Sequence, residues 1–140
     1  MVLDSELTTF GMVIKFSLEL EKRCIELYER FMLLDDSHDS SLKDHQRRVR
    51  ILEDVRREKL NEIMLEPIAG LTTADYNLSI DLADDADAEK LRQELIRLEE
   101  QSGVFYRDIS QKVKSFSREI TRIVERMAKE NHKLLGRITQ

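Results

Sequence analysis

Apolar and small residues recur in the first quarter of the chain at Leu7, Phe10, Ile14, Ser17, Cys24, Tyr28 and Phe31, at spacings built from threes and fours. This period puts one face of an α-helix against a core and predicts a helix from about Asp4 to Leu34, with Asp4 or Ser5 as its N-cap. The heptad position skipped in the series is Glu21, so the pattern turns a carboxylate into the apolar seam. Asp35 to Ser41 reads DDSHDSS, short polar residues that predict a tight, capped and solvated loop rather than an ion-binding one. A second helix is predicted from about Leu42 to Leu65, with Leu42, His45, Val49, Leu52, Leu60 and Ile63 on its inner face and Arg56 on the same side. It halts at Glu66-Pro67, since proline cannot continue a helix.

From Pro67 to about Ala83 no helical period is sustained. A connection of that length needs a reason in a small domain, and crossing the molecule from end to end supplies one. At roughly 3.3 Å per residue it exceeds the ~36 Å length of the preceding helix, so the second and third helices can run parallel. The third helix is predicted from the acidic run near Asp84 to Asp87 through Val113, with acids at its positive end and Lys112 and Lys114 at the other. The fourth begins at Ser115 or Ser117 and ends at Ile138, facing inward through Phe116, Ile120, Ile123, Met127, Leu134 and Ile138. No Gly or Pro marks the turn between these two, so one continuous helix over 84–138 is the alternative, at odds with a small domain.

Composition agrees with this all-α picture of a single domain over residues 1–140. Hydrophobic residues make up 41% and charged residues 36%, with one Pro, four Gly and no Trp. The net charge of -5 argues against a nucleic-acid partner, which requires concentrated positive surface. Arg47, Arg48 and Arg50 share their segment with Asp44, Glu53, Asp54, Glu58 and Glu62 and read as a solvated helix face. Cys24 is the single cysteine, which rules out an internal disulfide and suits a reducing compartment; it is expected to be a buried small residue. Met1 to Glu6 carries no basic start and no run reaches about 18 apolar residues, so a cytoplasmic location with no membrane partner is expected.

The first and third helices match each other in register: Ser17, Glu21, Cys24, Tyr28, Phe31 against Leu95, Glu99, Ser102, Tyr106, Ile109. Both carry Leu-Glu followed seven residues later by Tyr. An inward Glu on two equivalent helices with a Tyr two turns on resembles the ferritin-like di-iron carboxylate proteins, especially the rubrerythrin branch. Helix count, helix lengths and the long second crossing agree with this over nearly the whole chain. The resemblance implies a ferritin-like four-helix bundle. In that family each such Glu meets a Glu-x-x-His from the second or fourth helix, because each iron takes carboxylate oxygens and an imidazole.

No Glu-x-x-His occurs in this sequence. Folding the first hairpin about residue 38 sets Glu21 level with Glu53 and Arg56; against the family motif the Glu survives and the His has become Arg. Folding the second about residue 115 sets Glu99 level with Asn131, whereas aligning His132 with the family's His puts Lys129 in place of its Glu. The expected result is a buried polar cluster of Glu21, Glu53, Arg56 and Glu99, with Asn131, Tyr28 or Tyr106 completing hydrogen bonds. A guanidinium there takes over the charge of the metal.

Two functional expectations follow. The first is a non-catalytic bundle with a structural or interaction role and no cofactor, partnered at most by a second copy docking through a helix face. The second is a rubrerythrin-like oxidoreductase binding iron or manganese through Glu21, Glu53, Glu99 and His132 or His45, with Arg56 swung away. His45 alone reads as a packed histidine, and either carboxylate could instead rotate to an edge and face water.

Overall fold

The structure is a computed structural model and describes residues 6–59, 63–80 and 82–140. Four long helices carry the chain: α1 (Phe10–Met32), α2 (Asp39–Glu58), α3 (Ala88–Val113) and α4 (Arg118–Thr139). The only β pairings among the described residues are the isolated bridges Glu6–Thr72 and Thr9–Pro67. No helix among them is long and apolar enough to cross a membrane.

Side chains of the expected type close three helix N-termini. Thr9, Asp87 and Ser117 accept from the backbone N–H of Met12, Lys90 and Ile120, which satisfies amides that have no partner inside the helix. Asp4 and Ser5, the caps expected for the first helix, lie outside the described residues. Leu7 and Thr8 are extended instead, exchanging backbone hydrogen bonds with the crossing segment (Leu7 N–H to Leu71 O, 2.9 Å; Ile68 N–H to Thr8 O, 2.9 Å).

The first turn of α1 is held from outside as well. Phe10 and Gly11 donate to the carbonyls of Glu66 and Met64 at 3.0 and 2.9 Å. A Cβ on Gly11 would come within 3.1 Å of that Met64 oxygen, a tight contact that would push the two backbones apart by a few tenths of an ångström. α2 stops at Glu58, earlier than the expected Leu65, and the chain through Met64–Glu66 turns across the start of α1.

Residues 63–80 and 82–87 belong to the crossing, and among the described residues it holds one short 3₁₀ turn, Thr73–Asp75. Ile68, Leu71 and Tyr76 enter the core, Tyr76 packing against Phe16 and Phe105 and donating to Asp108. Arg97 pins the strap by donating to the carbonyls of Asn77 and Ser79, both at 2.7 Å, and Arg30 donates to that of Ala83 at 2.8 Å. Ordered backbone with its carbonyls satisfied is what lets so long a connection pack against a core.

Contacts give the helix directions. Arg137 meets Asp44 and Lys59 meets Glu119, so α2 and α4 are antiparallel. His45 meets Glu99 and Arg48 meets Ser102, so α2 and α3 run parallel, the direction the long crossing permits. The hydrophobic core extends through all four helices and the crossing.

Candidate functional site: a buried ionic cluster

Helix α1 buries Ser17, Glu21, Cys24 and Tyr28 on one seam, and α3 buries Leu95, Glu99, Ser102 and Tyr106 on the matching one. The two antiparallel helices bond reciprocally. Tyr106 donates to Glu21 at 2.7 Å, and Tyr28 donates to Glu99 at 3.4 Å. The repeated Leu-Glu and Tyr spacing therefore has a structural outcome: each tyrosine reaches the carboxylate of the other helix.

The second helix presents a different face from the one its apolar pattern suggests. Its buried residues are Ser41, His45, Arg48, Leu52 and Val55, again at spacings of four and three. The expected Leu42 and Val49 are only partly buried, Glu53 is half-buried and Arg56 is exposed. Glu53 and Arg56 are thus corrected out of the cluster, and Arg48 is corrected out of the solvated arginine face. The cause is a rotation of one position about the helix axis, together with a start at Asp39 that moves the turn and sets Glu21 level with residues 45–48. Apolar periodicity favours Leu42 and Val49 over Ser41 and Arg48. Burying two carboxylates without a cation costs more than leaving those two side chains at the edge.

His45 is fully buried and sits between the acids: Nδ1 lies 2.6 Å from Glu21 Oε1 and Nε2 lies 2.5 Å from Glu99 Oε1. A neutral imidazole donates from one nitrogen only, so two carboxylate contacts call for the imidazolium. Burial alone would lower the His45 pKa, but Glu99 and Glu21 outweigh it and raise it to about 9. Burial likewise pushes the Glu21 carboxyl up, while the charges of His45 and Arg48 and the hydrogen bonds from His45 and Tyr106 pull it below the ordinary value.

Arg48 is 1% exposed and uses its whole fork. It donates to Glu130 Oε1 at 2.9 Å from Nε, to the Met127 carbonyl at 2.8 Å from Nη2 and to Ser102 at 3.4 Å from Nη1. Nη1 also lies 3.7 Å from Glu21 Oε2, and the guanidinium lies 5.4 Å from the centre of the Tyr106 ring. Burial opposes its charge, and Glu21 leads the groups that more than restore it.

Asn131 donates to Glu99 Oε2 at 3.0 Å, so the second hairpin brings together the pair its folding point suggests. His132 is exposed and the set Glu21, Glu53, Glu99, His132 does not converge. Cys24 is fully buried, and burial together with Glu99 and Glu21 pushes its thiol well up. The Tyr28 and Tyr106 phenols are also pushed up, first by burial and then by the nearest carboxylate. Cys24, His45 and Glu99 place one ligand atom each within 4.8 Å of one another.

The donor set does not fit a di-iron centre. Such a centre needs several carboxylates and an imidazole on each ion, whereas here a single imidazole contacts both acids and a buried guanidinium lies beside Glu21. With the fully buried Glu21, Glu99, His45 and Arg48 ionised, the four charges sum to zero without an ion, while Glu130 at the rim is shared between Arg48 and Arg47. Sequence reasoning missed Arg48; the signal was the unbroken 41, 45, 48, 52, 55 series, in which a histidine and an arginine occupy heptad positions. No family model, curated protein or solved structure matches this chain.

Proposed function

We propose that this chain is a non-catalytic four-helix protein of ferritin-like build with a structural or interaction role, in which a buried Glu–His–Arg cluster stands where the ferritin-like di-iron proteins it resembles in sequence pattern hold two irons. The observation that carries the reading is His45, with both ring nitrogens within 2.6 Å of buried carboxylate oxygens. Arg48 supports it by supplying a second cation and occupying space beside Glu21. Such a cluster selects one pairing of the helices, because any slip strands a charge in the core.

The test is aerobic addition of ferrous iron to metal-free protein, following iron content, ferroxidase rate and the visible spectrum. The reading expects no oxidation above the protein-free rate and no oxo-bridged absorption. Two irons per chain with that absorption would replace it with the rubrerythrin-like oxidoreductase. A homodimer remains a proposal, to be read by light scattering: the most exposed leucines, Leu33 and Leu65 at 85% and 86%, lie at opposite ends of the helices rather than in one patch.

A further inference from the structure

We propose that the same cluster takes up one thiolate-seeking divalent cation, of the zinc class, bound by Cys24 Sγ, a His45 ring nitrogen and a Glu99 oxygen. This deepens the role proposed above and rests on the cluster not being a two-iron redox centre. Sulfur, nitrogen and oxygen donors from three different helices converge within 4.8 Å, all fully or almost fully buried. This mixed set suits zinc or cobalt(II) rather than a pair of hard irons.

The surroundings have the form of an outer shell. Glu21 Oε1 lies 2.6 Å from His45 Nδ1, so it can hold the Nδ1 proton and leave Nε2 as the ligand, the arrangement that orients metal-bound histidines. Asn131 holds the other oxygen of Glu99 at 3.0 Å. Tetrahedral binding sets ligand atoms on the order of 3.5 Å apart. The three donor atoms lie within 4.8 Å of one another, and the imidazole and Glu99, now 2.5 Å apart, have to separate by about 1 Å to admit the ion.

Charge balances across the exchange. Before it, imidazolium and guanidinium offset the two carboxylates. Afterwards a 2+ ion and the guanidinium offset two carboxylates and a thiolate, with a neutral imidazole. The ion enters, the Cys24 S–H and the His45 Nε2–H bonds break with loss of the hydrogen bond to Glu99, bonds from sulfur, nitrogen and the Glu99 oxygen to the ion form, and two protons leave. No oxidant or reductant takes part. Arg48 keeps Glu21 as its partner in both states, so the buried guanidinium does not bar the ion.

The experiment is anaerobic titration of metal-free, full-length protein with cobalt(II), then displacement by zinc. Saturation is expected at one cobalt per chain, with an intense near-ultraviolet thiolate-to-cobalt band and tetrahedral visible bands, and zinc should raise the melting temperature. Cys24→Ser should abolish the charge-transfer band. Glu21→Gln should keep the band and weaken binding roughly 10- to 100-fold. Circular dichroism establishes that each variant is folded, and Cys24→Ala serves if Cys24→Ser is not. Absence of cobalt binding, or binding with no thiolate band, overturns the proposal and leaves the non-catalytic reading standing. Two oxidised irons in the ferrous-iron assay would overturn that reading instead.

Discussion

Replacing Arg48 with alanine should be among the most damaging single changes in this protein. The guanidinium is 1% exposed and its loss leaves the Met127 carbonyl, 2.8 Å from Nη2, without that donor. Glu21 loses a cation 3.7 Å away, and the face of Tyr106 loses its stacked charge. Breaking a buried ion pair from one side costs about 3–5 kcal/mol, against a total stability of about 5–15 kcal/mol for a domain. With a urea slope of about 2 kcal/mol per molar, the unfolding midpoint should fall by about 2 M. The assay is urea denaturation followed by circular dichroism near neutral pH. Adding Glu21→Gln to Arg48→Met should recover part of the loss, because the stranded charge is then removed. Arg56→Ala, at an exposed position, should stay within about 0.5 kcal/mol of the parent. Equal losses for Arg48→Ala and Arg56→Ala would refute the assigned face of α2.

Stability should depend on pH through His45 and Glu21. The His45 pKa is raised from 6.5 to about 9, so its contribution is complete below about pH 6.5 and disappears as pH rises through 9. That contribution is roughly 3 kcal/mol by linkage. The Glu21 pKa is lowered, so its contribution is present above about pH 4.5 and fades on acidification below that. Urea midpoints at pH 6, 7.5 and 9 should fall in that order, and His45→Gln should flatten the decline; an unchanged alkaline limb in that variant counts against the assignment. Tyr106→Phe should cost about 1–2 kcal/mol and Tyr28→Phe less, since their hydrogen bonds are 2.7 and 3.4 Å long; the reverse order in chemical denaturation would contradict the reciprocal pairing. Gly11→Ala should destabilise by about 1–2 kcal/mol because of the Met64 oxygen at 3.1 Å. Gly136→Ala in α4, with nothing within 4 Å of the added carbon, should instead stabilise by about 0.5–1 kcal/mol, and the two melting shifts should have opposite signs.

Much of the framework was legible in local pattern. The alternation of threes and fours from Phe10 to Phe31 determined a helix and the inward direction of Glu21, because that period has one geometric solution. The match between Glu21–Tyr28 and Glu99–Tyr106 marked the residues that meet across α1 and α3; for the start of α4 the sequence offered Ser115 or Ser117, and the structure has Ser117 as the cap. Tertiary structure decided the face of α2. Positions 41/48/55 and 42/49/56 are adjacent on a helix and both follow a heptad, so periodicity ranks them by hydrophobicity alone and chooses Leu42 and Val49 over Ser41 and Arg48, carrying Arg56 inward with them. The deciding energy belongs to Glu21 and Glu99, on helices 24 and 54 residues away from His45 in sequence. Two carboxylates in a dry core require cations, and only the packed structure shows that His45 and Arg48 are the ones within reach.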